Sequence, residues 1–192
     1  MNDLEFEKEY WGNCANTFDE EQKHFIYAKY MKIPIDRYSF DAGNKAIVDI
    51  GGGPVSMLLK CKNLVAGLVV DPLDYPSWTI DRYKSHNIKY SQLRGEDLDT
   101  NGWDEAWIYN CLQHADDPKL IIENAFKAAN TVRIFEWINI PAHEGHPHEL
   151  TEKFFQDCFT GTVNFGYGTV KLAEQGCYGE AFYGVFKKVS SL

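Results

Sequence analysis

The sequence predicts an α/β fold built on a doubly wound, mostly parallel sheet of seven strands with helices on both faces. The clearest sign is the apolar run at 46–50, followed by Gly-Gly-Gly-Pro at 51–54, as expected for a buried strand, a tight turn and a helix start. Apolar runs and amphipathic stretches then alternate along the chain, which is typical of strand–helix–strand units. Strands near 169–174 and 180–188, joined by a turn at Gln175-Gly176, predict a closing antiparallel hairpin.

Charge and cysteine content narrow the function classes. With 19 Lys and Arg against 28 Asp and Glu, the 192-residue chain has a formal charge of −9. This charge argues against nonspecific binding of nucleic acid, which depends on neutralising phosphates. The five cysteines are odd in number and form no Cys-x-x-Cys pair, as expected for reduced thiols in a cytoplasmic protein. Residues 1–9 are too polar for a secretory signal, and no apolar run reaches the ~18 residues of a membrane span.

The chain is expected to fold as one domain, with an N-terminal helical extension at 1–44 ahead of a core at 45–192. Within the extension, Thr17 and Glu20 match a capping box, so that a helix should begin there. The helix is expected to end near Lys32, because the proline two residues later disfavours helical backbone before it.

The alternation of apolar runs and amphipathic stretches predicts where the other strands and helices of the core lie. The further strands are predicted at 64–70, 88–93, 103–109 and 131–138. The helices are predicted at 55–61, 76–85, 118–129 and 152–159. Because the carboxyl ends of parallel strands meet at one edge of such a sheet, the residues that follow each strand are the candidate ligand contacts.

Acidic and amide side chains follow three of these strands. Asp71 lies about 20 residues after the glycine turn, the spacing at which an acidic residue meets ribose hydroxyls, although an Asp before Pro is also a common turn. Glu96 and Asp97 follow the next strand, where they either face an adenine amino group or form a solvated loop. Asn110 follows the fourth strand and His114 lies close behind it.

The glycine turn fits two kinds of ligand, dinucleotides and S-adenosylmethionine. A phosphate loop is excluded, because the turn is not followed by Gly-Lys-Ser/Thr. A dinucleotide motif places a third glycine where this chain has Ser56, which weakens the interpretation as a dehydrogenase without excluding it.

Four segments, in order, resemble the motifs of class I S-adenosylmethionine-dependent methyltransferases. Residues 48–54 resemble the D-x-G-x-G motif, 70–71 the acidic end of the second strand, and 95–98 the acidic segment after the third strand. Residues 103–118 resemble the fourth strand and its L-x-H-x-x-D-P turn. The resemblance implies a Rossmann-like fold and methyl transfer from S-adenosylmethionine, with S-adenosylhomocysteine as the product.

The resemblance also implies a set of cofactor contacts: Asp49, Gly51, Gly52, Gly53, Asp71, Gly95, Glu96, Asp97 and Asn110. The glycine backbone would meet the methionine portion, and Asp71 the ribose. Gly95 with one of the two acidic residues that follow it would face adenine, and Asn110 would lie beside the sulfonium. Asp49 would act indirectly, by orienting the glycine turn or through water.

Histidines are the candidate catalytic residues, because a hydroxyl acceptor must lose a proton and histidine titrates near neutral pH. The candidates are His114, His143, His146 and His148. The last three lie in one loop after the fifth strand. Alternatively, this loop has a structural role or binds a divalent metal ion, although the spacing of its histidines matches no standard zinc motif.

Three further residues are candidate substrate contacts. Glu136 is either a buried partner of one histidine or a contact of the acceptor. Tyr10 and Trp11 either pack the N-terminal helix onto the sheet or form a lid over the acceptor.

The acceptor itself is predicted to be a small molecule that is methylated at a hydroxyl group, so that the protein would be an O-methyltransferase. The stretch 110–113 lacks the Pro-Pro of amino methyltransferases of bases and the Pro-Cys of cytosine-C5 enzymes, and the chain is acidic. Two alternatives remain open: a non-catalytic protein that binds S-adenosylmethionine or supports a partner, and an NAD-dependent dehydrogenase.

Overall fold

A mixed sheet of eight strands forms the centre of the computed structural model, which describes residues 3–173, 177 and 179–189. The strands are β1 (Ile35–Asp36), β2 (Ser39–Ile50), β3 (Cys61–Asp71), β4 (Ile88–Gln92), β5 (Trp103–Tyr109), β6 (Ala129–Ile138), β7 (Val163–Lys171) and β8 (Glu180–Lys187). The α-helices are α1 (Asp3–Trp11), α2 (Cys14–Tyr30), α3 (Ser77–Ser85), α4 (Pro118–Ala128) and α5 (Glu152–Cys158).

The sheet has the strand order β4-β3-β2-β5-β6-β8-β7, and the two-residue β1 pairs with β2 as an eighth strand that the sequence did not predict. Strands β2 to β6 are parallel, whereas β8 is antiparallel to both β6 and β7. The mostly parallel sheet with a C-terminal antiparallel hairpin is thus confirmed. The predicted turn at Gln175-Gly176 lies outside the described residues.

Strand β7 begins at Val163, six residues before its predicted start at 169. The stretch 163–168 contains two glycines, which weaken the pattern of a strand in the sequence. A register irregularity between Asn164 and Tyr167 accommodates Gly166, whose φ is 109°, and lets the strand continue its pairing with β8. Strand β7 therefore starts earlier than predicted because a bulge lets it include this glycine.

The first crossover holds no α-helix, so the helix predicted at 55–61 was wrong. Only a short 3₁₀ helix, Met57–Lys60, lies between β2 and β3. The register pairs Phe40 with Cys61 and Ile50 with Val70, so the chain must return along almost the whole of β2 within residues 51–60. An extended chain covers at most about 3.3–3.6 Å per residue and an α-helix only about 1.5 Å, so a helix would be too short to make this return.

Helix α2 begins earlier than predicted. Its N-cap is Asn13, whose Oδ1 accepts a hydrogen bond from the backbone N–H of Ala15 at 2.9 Å. Thr17 lies inside the helix and donates to the carbonyl of Cys14, so the predicted capping box of Thr17 and Glu20 was wrong. Strand β2 begins at Ser39, within the stretch 1–44 that was assigned to the N-terminal extension.

Helices cover both faces of the sheet, as predicted. On one face, α2 and α3 pack against strand residues such as Ile47 and Trp107. On the other face, α4 and α5 cover a second buried cluster that contains Ile108 and Ile134. None of the helices in the described part of the chain has the length and apolar character that crossing a membrane requires.

A buried ion pair joins β5 to β6 and ties both to the end of α2. The Glu105 carboxylate accepts hydrogen bonds from Arg133 Nε at 2.6 Å and Nη2 at 2.9 Å, and it also contacts Lys45 Nζ at 2.6 Å. Arg133 Nη1 donates to the Met31 carbonyl at 2.6 Å. Burial opposes ionisation of Glu105, but Arg133 outweighs it and lowers the pKa of that carboxyl to about 2.

Replacing Arg133 by Met should lower the free energy of unfolding by about 3 kcal/mol or more, because a buried carboxylate then loses its main partner. Urea denaturation measures the change. The matched control is Lys45→Met, because Lys45 is 38% exposed and binds the same carboxylate. It should cost less than about 1 kcal/mol. Equal losses in the two variants would contradict the dominant role of Arg133.

Candidate active site

A cavity of about 340 Å³ lies at the carboxyl ends of the five parallel strands β2 to β6. The strand order reverses between β2 and β5, and open α/β sheets bind ligands at such a switch point. Residues that follow the five strands form much of the wall: Gly51, Gly53, Asp71, Gly95, Glu96, Asn110, Cys111, Gln113, His114, His143 and His146.

The glycine turn is the floor of this cavity and requires glycine at two positions. Gly51 has a φ of 75°, and a Cβ there would lie 2.5 Å from the Cβ of Cys111. Gly53 has a φ of 60° and faces the indole ring of Trp11. Gly52 is not part of the wall, and a Cβ on it would lie 2.7 Å from Asp49 Oδ2. The turn thus offers only backbone to a ligand.

Asp49 supports the turn from behind and does not reach the cavity wall. Its Oδ2 accepts hydrogen bonds from the Ser56 hydroxyl and, at 2.5 Å, from the Tyr109 hydroxyl. Its burial is complete and raises the pKa of the carboxyl to about 7. This position fits the indirect role expected for Asp49.

Asp71 lies on the wall beside the turn, at the end of β3. Its Oδ2 accepts from the Gly53 N–H at 3.1 Å and its Oδ1 from the Leu73 N–H at 3.0 Å. Each carboxylate oxygen can accept a further hydrogen bond, so the group is held in place while remaining able to bind a hydroxyl pair. Burial raises the pKa of Asp71 to about 6.

The segment after β4 contributes Gly95 and Glu96 to the wall. A Cβ on Gly95 would lie 2.9 Å from a methyl of Ile50, so the backbone there approaches the floor closely. Glu96 Oε1 accepts from the N–H groups of Asp116 and Asp117 at 2.8 and 3.0 Å, which joins this segment to the loop after β5. Asp97 is exposed and not part of the wall, so the structure separates it from the other predicted cofactor contacts.

Asn110 connects the cavity to helix α2. It has a left-handed backbone with a φ of 51°, a conformation that Asn tolerates better than most residues. Its Nδ2 lies 3.2 Å from both carboxylate oxygens of Glu20. Its Oδ1 accepts from Gln113 Nε2 at 3.3 Å.

Three of the four predicted histidines come together on the wall. The ring centroids of His114 and His146 are 4.4 Å apart, and those of His143 and His146 are 4.3 Å apart. His148 is not part of the wall. In the described ranges, no group of three or more His, Cys, Asp or Glu side chains has an arrangement that could hold a metal ion.

The three histidines differ in their electrostatic environment. His114 Nδ1 lies 3.0 Å from Glu7 Oε1 and 2.5 Å from the Gly145 carbonyl. Burial disfavours a charged His114, but the bond to Glu7 outweighs it and raises the pKa of the ring. Burial, together with the nearby His114 and His143, lowers the pKa of His146 to about 4. His146 is therefore neutral at physiological pH.

Glu136 does not face the cavity, so its predicted role as an acceptor contact is not what the structure favours. The side chain is fully buried, and its Oε1 accepts from the N–H groups of Cys111 at 3.0 Å and Leu112 at 3.1 Å. It holds the loop after β5 from below. Burial raises the pKa of Glu136 to about 7.

Helix α1 forms the outer wall of the cavity. It contributes the candidate substrate contacts Tyr10 and Trp11, together with Phe6 and Glu7, which were not predicted from the sequence. Trp11 Nε1 donates to Glu7 Oε2 at 3.1 Å. The Phe6 ring packs so closely on Gly145 that a Cβ there would lie 2.7 Å from it. The spacing of three and four residues between these side chains was the available signal.

Comparison with known proteins identifies the fold. No family model matches the sequence, and no curated protein matches it. Among solved structures, the N-methyltransferase NodS from Bradyrhizobium japonicum, in complex with S-adenosylhomocysteine, is 12% identical with a TM-score of 0.69, over 98% of this chain and 99% of that one. A possible histamine N-methyltransferase from Thermotoga maritima is 11% identical with a TM-score of 0.64, over 98% and 100% of the two chains.

The cyclase SpnF is also similar, with 14% identity and a TM-score of 0.66 over 88% of this chain and 81% of that one. Identities this low establish the fold. The chain thus has the fold of class I S-adenosylmethionine-dependent methyltransferases, as the sequence motifs predicted. Because the same fold also carries a cyclase, the reaction must be argued from the site.

The buried carboxyl of Glu136 gives a pH prediction. The folded-state pKa, about 7, lies above the ordinary value of 4.5, so its contribution to stability is full below pH 4.5 and is lost as the pH rises through 7. The variant Glu136→Gln keeps an oxygen for the two N–H groups and cannot ionise. Its free energy of unfolding relative to wild type should therefore rise by about 3 kcal/mol between acidic and mildly alkaline pH. Denaturant titrations across this range measure the difference, and parallel profiles would contradict it.

Proposed function

We propose that this protein is an S-adenosylmethionine-dependent methyltransferase that acts on a small molecule. The observation that carries the proposal is the meeting of three groups at one wall: the backbone of Gly51 and Gly53, the Asp71 carboxylate, and the Gly95–Glu96 segment. They offer separate contacts to an amino-acid portion, a ribose and a purine. The structural similarity to NodS, which holds S-adenosylhomocysteine, supports the same cofactor here.

Two features of the site favour this cofactor over a dinucleotide. Dinucleotide sites place a pyrophosphate at the N-terminus of an α-helix, whereas the glycine turn here leads only to the 3₁₀ helix Met57–Lys60. The wall also carries the carboxylates of Glu7, Asp71 and Glu96. Its cationic residues Arg94 and His114 are already paired with Asp116 and Glu7. An acidic wall suits a sulfonium and an ammonium better than a pyrophosphate.

The individual roles follow from position. Gly51 and Gly53 would bind the methionine portion through the backbone, and Asp71 would accept from the ribose hydroxyls. Gly95 and Glu96 would face the adenine, and Asn110 would lie near the sulfonium. When bound, S-adenosylmethionine supplies an activated methyl group, so the protein has mainly to orient the acceptor and exclude water.

The acceptor is proposed to be small because of the size of the site. The volume of about 340 Å³ lies near the lower end of the ~300–1,000 Å³ range of small-molecule pockets, and the cofactor would take much of it. Phe6, Tyr10 and Trp11 close the outer side and would keep water from the reacting groups. The free cysteines are compatible with the cytoplasmic location expected from the sequence.

His146 is the proposed proton acceptor for the methylated group. It lines the cavity, and within the described residues its buried Nδ1 has no hydrogen-bond partner, so this nitrogen is available to take a proton. His114, which is held by Glu7 and Gly145, would position the loop. The sequence favours a hydroxyl acceptor, whereas NodS is an N-methyltransferase and the Thermotoga protein a possible one. Oxygen and nitrogen acceptors are both consistent with this base.

S-adenosylhomocysteine should raise the melting temperature of the protein, whereas NAD should not. At a hundredfold excess over its Kd, a ligand that binds only the folded state adds about 2.7 kcal/mol, or about 5 °C or more for a protein of this size. Differential scanning fluorimetry measures the shift. Stabilisation by NAD alone would refute the proposed cofactor.

Asp71→Asn is the matched variant for that measurement. It keeps the size of the side chain and one oxygen for the backbone, but it removes the charge that strengthens hydrogen bonds to hydroxyls. Its affinity for S-adenosylhomocysteine should fall about tenfold or more by calorimetry. Wild-type affinity would remove Asp71 from the ribose site.

His146→Ala should reduce methyl transfer about a hundredfold or more and leave cofactor affinity unchanged, because it removes only the base. Release of S-adenosylhomocysteine, measured with a panel of small hydroxyl and amine compounds, reports the rate. The control is His148→Ala, in the same loop but away from the wall. If the two variants lose equal activity, the loop acts structurally and His146 is not the base.

A further inference from the structure

A chain of hydrogen bonds leads from a buried carboxylate in α2 to the cavity wall. Glu20 is only 6% exposed, and three side chains donate to it: Lys23 Nζ at 3.2 Å, the Tyr27 hydroxyl at 2.9 Å, and Asn110 Nδ2 at 3.2 Å. Asn110 Oδ1 in turn accepts from Gln113 Nε2 at 3.3 Å. This series of hydrogen bonds ends at the oxygen of the Gln113 amide, Oε1.

The ion pair at its origin fixes the direction of every bond in this chain. Glu20 forms an ion pair with Lys23, and the oxygens of a carboxylate can only accept, so Asn110 must turn its NH₂ group towards Glu20. Its oxygen then faces Gln113, which must turn its own NH₂ group towards Asn110. The Gln113 amide is therefore held with its NH₂ group on Asn110 and its Oε1 left over. If the amide were rotated, Gln113 Oε1 would meet Asn110 Oδ1, and two acceptors would face each other.

Gln113 is a wall residue of the cavity and is 3% exposed. Within the described residues, its Oε1 is buried and has no hydrogen-bond partner. Buried acceptors are normally paired, because an unpaired one keeps the cost of desolvation without compensation. An acceptor fixed in this state at a ligand cavity indicates that a donor on the ligand completes it.

The rest of the wall points to the kind of donor. The carboxylates of Glu7, Asp71 and Glu96 add negative charge to the same wall, and the N–H groups of Trp11 and Asn110 are already engaged. An unpaired acceptor on a negatively charged wall complements a group that has N–H donors and a positive charge. An amine meets both conditions: it binds as the ammonium, passes one proton to His146, and takes the methyl group on the lone pair that this frees, while a second N–H remains for Gln113. A carboxylate acceptor would face repulsion.

We propose that Gln113 selects an amine as the methyl acceptor, with its Oε1 accepting a hydrogen bond from an N–H group of that amine beside the transferable methyl. The inference rests on the proposed function and assigns the acceptor class of the same site. Gln113 acts through contact with the substrate, and Glu20 and Asn110 act as positioning residues that orient the Gln113 amide.

Sinefungin is a suitable probe, because it is an S-adenosylhomocysteine analogue that carries an amine-bearing carbon in place of the sulfur. It thereby presents an N–H donor near the position of the transferable methyl without requiring the acceptor to be known. Wild-type protein should bind sinefungin more tightly than S-adenosylhomocysteine by calorimetry. If neither compound binds, the proposed function fails; if both bind equally, only the present inference fails.

Gln113→Met keeps the length of the side chain and removes the acceptor. Its affinity for sinefungin should fall about tenfold, while its affinity for S-adenosylhomocysteine should change less than about twofold. A merely structural role would weaken both ligands alike, so the ratio of the two affinities separates the cases. A wild-type ratio in the variant would overturn the proposal.

The variant Glu20→Gln tests whether Glu20 orients the Gln113 amide through Asn110. A glutamine at 20 can donate as well as accept, so Asn110 and Gln113 can both rotate and turn an NH₂ group towards the cavity. The preference for sinefungin should decrease, although no wall residue has changed. The control is Tyr27→Phe, which removes another donor to the same carboxylate and should keep the preference. Equal ratios in both variants would refute the positioning role of Glu20.

Discussion

The short return between β2 and β3 is the constraint on which much of the structure depends. Because residues 51–60 must run back along the length of β2, they leave no room for an α-helix and hold only the 3₁₀ helix Met57–Lys60. The face of the sheet beside them is covered instead by α2, whose Tyr27 and Ala28 share one buried cluster with Met57 and Leu58. The N-terminal segment is therefore part of the core, and Glu20 reaches the end of β5 for this reason.

Buried carboxylates organise the loops at the carboxyl edge of the sheet. Glu136 accepts two backbone N–H groups of the loop after β5, and Asp71 accepts one from the glycine turn and one from its own loop. Asp49 binds two hydroxyls behind the glycine turn. Burial raises the pKa of all three towards neutrality. The geometry of the cavity thus depends on groups that lie mostly behind its surface, at a cost in stability when they ionise.

Local sequence patterns predicted the strands and the residues that follow them, because strand burial and turn formation depend on residues that are close together in the sequence. Asp71 and Asn110 were found in this way. The helix at 55–61 was mispredicted because its length is limited by the register of β2 against β3, which no single segment contains. Glu7 was missed because its contact with His114 joins α1 to a distant loop. Gln113 was missed because the orientation of its amide depends on Asn110, which in turn contacts Glu20 in α2.

The distribution of the five tryptophans has an optical consequence. Trp107 and Trp137 are fully buried in the core, and Trp78 faces solvent, so the surroundings of their indole rings are independent of what the cavity holds. Trp11 alone among these four lines the cavity, with its ring against Gly53 and its N–H on Glu7. Its emission therefore reports directly on the state of the glycine turn and of the helix that covers it.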